Sequence, residues 1–98
     1  LDLKKMLDTI SAGAAGSWQM SNNGPKMVSG DEAPGFFIKH YVKDLRIARQ
    51  ESRARTLKLP IAKRVLKMYE EMEEQGLGDL GTQAVIRAYR KAKKKAAP

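Results

Sequence analysis

The sequence contains no cysteine and only one histidine, His40. Disulfides and thiolate metal sites are therefore excluded, and one imidazole cannot by itself build a zinc site. The lack of thiols suits a cytoplasmic enzyme, which is the expected location. No apolar run approaches the roughly 20 residues that span a bilayer. The opening Leu1-Asp2-Leu3-Lys4-Lys5-Met6 lacks the shape of a signal peptide. Position 1 is not methionine, which fits a piece cut from a longer chain. There is no Gly-x-Ser-x-Gly elbow, and His40 has no titratable partner nearby in sequence, so nucleophilic hydrolysis is disfavoured. No segment alternates with period two, which argues against strands.

What is present is ordinary globular composition: 98 residues, 42% hydrophobic and 31% charged. That predicts one small domain. A chain this short exposes a large share of its surface, so part of its apolar surface is expected to belong to an interface. The net charge of +8 invites a nucleic-acid reading, but its distribution weakens it. Arg87, Arg90, Lys91, Lys93, Lys94 and Lys95 form a run of cations without an acid, and the remaining 13 cations face 11 acids. The basicity belongs to a tail, which defines residues 1–90 as the domain and 91–98 as a basic extension.

Helical periodicity runs through the domain. Leu3, Met6, Leu7 and Ile10 share one face behind Asp2 as N-cap, and Ser11-Ala12-Gly13 ends that helix. Ser17 is placed to cap a second helix carrying Trp18, which Gly24-Pro25 should interrupt within about two turns. Trp18 reads as a buried or interface aromatic, and the five methionines as core filler. Ser29 to Gly35 is a loop by composition. From Phe36 to about Thr56 runs the longest candidate, with Ile38, Tyr41, Leu45, Ala48 and Ser52 as its core stripe and Lys39, Lys43, Arg46 and Arg53 toward another side. Leu59-Pro60 stops it and starts the next, whose face is Ile61, Val65, Met68, Tyr69 and Met72 and whose end is Gly76. Glu70, Glu71, Glu73 and Glu74 should be its solvated side. A last helix, capped by Asp79 or Thr82, places Val85, Ala88, Tyr89 and Ala92 together. The sum is an all-α bundle of about five helices.

One stretch offers a ligand-facing arrangement. If Phe36 and Lys43 share a helix they lie seven residues apart, on one side and two turns from each other. A lysine ammonium and an aromatic edge can hold an anionic or carboxamide-bearing ligand, although a solvated charged face is the plainer alternative for Lys43-Asp44. Gly13-Ala14-Ala15-Gly16 follows a helix and lacks a third glycine, so it reads as a turn between helices rather than a phosphate loop.

Three motifs in order, Ser11-Ala12-Gly13-Ala14-Ala15-Gly16-Ser17-Trp18, then Gly35-Phe36 with Lys43-Asp44-Leu45-Arg46-Ile47-Ala48, then Gly76-Leu77-Gly78-Asp79-Leu80, resemble the C-terminal helical domain of the β-hydroxyacid dehydrogenases. That group includes tartronate semialdehyde reductase (2-hydroxy-3-oxopropionate reductase), to which the likeness is nearest, 3-hydroxyisobutyrate dehydrogenase and, more distantly, 6-phosphogluconate dehydrogenase. The resemblance covers about residues 2–90. It implies a two-domain enzyme in which an N-terminal Rossmann domain binds NAD or NADP and this domain closes over the nicotinamide. It further implies that Lys43 lies beside the nicotinamide end, that Phe36 and Asp44 line or support that pocket, and that the substrate is a small hydroxy acid or semialdehyde. Homo-oligomers form through this domain in such enzymes. The resemblance places the general acid/base lysine elsewhere, on a connecting helix with an asparagine one turn later. That motif, a Rossmann fingerprint and the substrate-carboxylate loop are all absent, so the 98 residues alone are expected to be inactive. The alternative is a small helical nucleic-acid-binding module using the basic tail.

Overall fold

The structure, a computed structural model, describes residues 1–90. Among these the elements are helices joined by turns, with one isolated bridge and no strand, so the all-α expectation is met. The described residues divide into two compact units, 1–32 and 33–90.

The first unit is a helix pair. Helix α1, Leu3–Ser11, starts where Asp2 Oδ1 accepts from the Lys5 backbone N–H at 3.1 Å, and α2, Trp18–Ser29, where Ser17 Oγ accepts from that of Met20 at 3.0 Å. Each cap satisfies one amide that the first helical turn leaves without a partner, worth about 1 kcal/mol. The turn between them is a tight one: a Cβ on Gly16 would come within 2.3 Å of the Ser11 carbonyl oxygen, so no other residue fits unchanged.

Two expectations fail in this unit. Gly24-Pro25 does not interrupt α2, which continues to Ser29 and ends at Gly30 in the left-handed conformation (φ 81°). Gly24 is buried, and a Cβ there would sit 3.0 Å from Leu7 Cδ2, so the glycine permits close approach of α1. Pro25 lies beside it on the exposed side of the helix, where its ring is accommodated within the continuing turn. Trp18 is 70% exposed rather than buried, because it lies on the side of α2 opposite Asn23 and Gly24, the pair that this unit buries.

The second unit is built on α3, Ile38–Ala54, against α4, Pro60–Glu74, closed by a 3₁₀ helix, Thr82–Val85, and helical turns over 86–90. Its core is Ile38, Val42, Leu66, Tyr69, Met72 and Ala84. The α3 stripe centres on Ile38, Val42 and Leu45, so Val42 is fully buried while Ala48, at the stripe's edge, is exposed. On α4 the buried face centres on Tyr69. Ile61 falls about 80° from that centre at 100° per residue and is 79% exposed, so it is not part of the core stripe. Burial pushes the Tyr69 hydroxyl far above the usual phenol range, aided by Tyr41 and Tyr89, and that hydroxyl donates to the Thr82 carbonyl at 2.8 Å.

Gly76 (φ 83°) is the C′ residue of α4, as its position predicts. The expected solvated acids are divided: Glu70 accepts from Arg46 Nε and Nη2 at 3.0 and 2.8 Å, and Glu73 lies 3.9 Å from the same guanidinium, tying α4 to α3. Neither Asp79 nor Thr82 caps the last helical segment by its side chain. Gly81 holds that position with no side-chain bond.

Candidate cofactor-facing site

Phe36 is not in α3. The helix begins at Ile38, with Phe37 in extended conformation (φ −75°, ψ 141°) as its N-cap, so Phe36 and Lys43 do not share a helical face as their spacing predicts. The reason is a set of backbone bonds that local sequence does not reveal. The segment before α3 is pinned by the one after α4: the Thr82 N–H donates to the Phe36 carbonyl at 3.0 Å, Phe37 bridges Gly81, and the N–H groups of Ile38 and Lys39 donate to the Leu80 and Gly78 carbonyls at 2.9 and 3.0 Å. These bonds satisfy two amides of the first turn of α3, which is why Phe37 needs no polar capping side chain. Lys39 reinforces the clasp, its ammonium 2.7 Å from Asp79 and 5.2 Å from the centroid of the Phe37 ring. The hydrogen bond from Lys39, with its charge, holds the Asp79 carboxyl below the usual carboxylate range.

Gly76-Leu77-Gly78-Asp79-Leu80-Gly81 has the Gly-x-Gly-x-x-Gly spacing of a dinucleotide fingerprint, a match that sequence reading passes over. It follows a helix and not a strand, and each glycine has a packing reason. Gly76 ends α4, Gly78 leaves 3.4 Å to Lys39 Cβ, and Gly81 faces the buried Gln83 amide, which donates to the Ala33 carbonyl.

What the structure brings together is an aromatic group at the start of α3. The Phe36 ring, 43% exposed, lies 5.9 Å from that of Tyr41 and 6.4 Å from that of His40, and His40 is 5.3 Å from Phe37. His40, Lys43, Asp44 and Ile47 follow i, i+3, i+4, i+7 spacing and form the solvent face of α3, opposite the core stripe. Lys43 and Asp44 are exposed, and neither enters an ion pair or hydrogen bond among the described residues. His40 is the member sequence reading leaves unassigned. The signal was its spacing, four and three residues after two phenylalanines.

Chemically, this face offers an ammonium with three free donors, an imidazole and an exposed aromatic edge. Those groups fit a carboxamide or an anionic group of a ligand. Among the described residues no cluster of three His, Cys, Asp or Glu could hold a metal, and no helix is long and apolar enough to cross a membrane.

Comparison with known proteins gives first the class. The structure matches the crystal structure of 3-hydroxyisobutyrate dehydrogenase from Salmonella typhimurium with a TM-score of 0.84 at 30% identity, over 90% of this chain and 31% of that one. The fold is thus that of the helical C-terminal domain of a hydroxyacid dehydrogenase. A family model described as "NAD-binding of NADP-dependent 3-hydroxyisobutyrate dehydrogenase" matches residues 1–89, and the chain belongs to that family. Its relatives include an uncharacterized oxidoreductase of Synechocystis, 44% identical over 89% of this chain and 29% of that protein. A probable mitochondrial 3-hydroxyisobutyrate dehydrogenase-like protein of Arabidopsis thaliana is 42% identical over 90% and 26%. L-threonate dehydrogenase of Escherichia coli K12 is 29% identical over 91% and 30%. The chain therefore spans less than a third of the length of the curated relatives it matches. The nucleic-acid alternative gains no support from these matches, and most of the basic run it relied on, residues 91–95, lies outside the described residues.

Proposed function

We propose that this chain is the cofactor-closing domain of an NAD- or NADP-dependent 3-hydroxyacid dehydrogenase or semialdehyde reductase, with residues 1–90 as the helical domain and 91–98 as a basic tail. The observation that carries the reading is Lys43: an unpaired, exposed ammonium on the face of α3 away from the core, one turn from His40, whose ring neighbours that of Phe36, in a chain whose family is described by nicotinamide-cofactor binding. The cofactor supplies the hydride chemistry. Lys43 contributes charge and hydrogen bonds at the nicotinamide end, Asp44 supports that edge, and Phe36 excludes water from it. The rest of the site comes from a Rossmann domain, which also brings the general acid/base lysine. Exposed Trp18 and Tyr89 supply apolar contact for docking and homo-oligomerisation, as large aromatics do at interfaces.

The test compares the 98 residues with the same residues inside the intact enzyme, using NADH and NADPH with small semialdehydes. The intact enzyme should turn over and the isolated chain should not. Turnover by the isolated chain would contradict the division of labour.

A further inference from the structure

A second concave surface lies in the unit that begins at Ala33, at the other end of α3. It is a groove of about 410 Å³ between the C-terminal half of α3, the 55–59 loop and the start of α4, and none of Phe36, Lys43 and Asp44 lines it. Its volume falls in the range of small-molecule sites, roughly 300–1,000 Å³. Apolar side chains form its floor: the core residue Leu66, Leu45 packed against that core, and Leu57 and Leu59, which are 58% and 48% exposed. Four cations surround that floor, Arg49, Arg53, Lys58 and Lys63, and no acid lines the groove. None of the four enters an ion pair among the described residues, whereas Arg46 and Arg55 on the same helix and turn both do.

Arg49 supplies the independent indication. Its Nε is buried and has no hydrogen-bond partner. Its charge is therefore not neutralised within the described residues, and the two terminal nitrogens of a guanidinium are shaped to meet a carboxylate with two parallel bonds. Unpaired cations over an apolar floor exclude a purely apolar ligand as the best fit. The floor, in turn, would be left in water by a small inorganic anion. From this combination we infer that the groove binds an amphipathic monocarboxylate, its carboxylate on Arg49 and its aliphatic part on Leu45, Leu57, Leu59 and Leu66. The site is separate from the cofactor-facing end and does not depend on that assignment.

The probe is sodium octanoate, followed by amide chemical shifts of the 98-residue chain, with octanol and sodium acetate as comparisons. Octanoate should give saturable shifts confined to the amides of 45–53 and 57–66. Octanol, acetate, and octanoate with Arg49→Met should each bind at least about tenfold more weakly. Should Arg49→Met fail to fold, the exposed Lys63→Gln and Arg53→Gln carry the same test. Equal affinity for octanol and octanoate would overturn the assignment, as would the absence of saturable shifts. Octanoate shifts in the isolated chain that vanish in the intact enzyme would show that the groove is filled by the protein's own polypeptide, and would equally overturn it.

Discussion

Thr56 is the one non-glycine residue with a left-handed backbone among the described residues (φ 57°), and it closes α3 through a bond from the Leu57 N–H to the Ser52 carbonyl at 2.8 Å. That position favours glycine, and a β-branched side chain there is strained by about 1–3 kcal/mol. Thr56→Gly should stabilise the fold by about 1 kcal/mol once the added freedom of the unfolded glycine is offset, read from the shift of a urea midpoint at constant slope. An unchanged or lowered midpoint would show that the Thr56 side chain makes compensating contacts. At Tyr69 the sign is reversed. Tyr69→Phe removes the bond to the Thr82 carbonyl and leaves that oxygen buried, costing about 1–3 kcal/mol at neutral pH. Because the folded phenol holds its proton more tightly than the unfolded one, wild-type stability should fall as pH rises above about 10, and the Phe variant should lose less over that range. Single residues were the most legible scale in the sequence where their partners are local. Asp2, Ser17 and Gly76 act within one turn and stand where their chemistry places them. Trp18 does not, since its burial depends on which side of α2 the unit covers.

At the level of elements, the joining of the start of α3 to the loop after α4 matters most. Gly35 to Ala48 and Gly76 to Thr82 stand apart in sequence, yet their backbones exchange the bonds that fix Phe36 outside the helix and start α3 at Ile38. Such pairing leaves no periodic trace, which is why sequence reading begins the helix two residues early. The Lys39–Asp79 pair should report on this clasp. Since the Asp79 pKa is lowered on folding, the stability it contributes is present above the ordinary carboxylate range and is lost as pH falls through the Asp79 pKa. A carboxyl titration followed by NMR should place the Asp79 midpoint below those of ordinary aspartates, and Lys39→Met should return it to them. An ordinary midpoint in the wild type would mean that the pair does not persist in solution. The periodic parts of α1 and α4 were readable. Gly24-Pro25 was not, because close packing on Leu7 outweighs a local breaker.

For the molecule as a whole, the all-α class and the dehydrogenase resemblance were both legible: the first from sustained 3.6-residue periodicity, the second from three motifs in order. The proposed site was readable only in part, because its residues, Phe36, Lys43 and Asp44, look like any solvated face in the sequence, and the proposal makes them one half of a pocket. The proposed role in cofactor closure therefore depends on whether Lys43 is used. The most direct measurement is steady-state kinetics of the intact enzyme carrying Lys43→Ala, with Lys39→Ala as the control lysine on the same helix. Lys43→Ala should lower kcat/KM at least about tenfold, the equivalent of ~1.4 kcal/mol of lost transition-state stabilisation, with a raised cofactor or substrate KM, while Lys39→Ala changes it less. Unchanged kinetics for Lys43→Ala, or equal losses for both, would contradict the role given to this lysine.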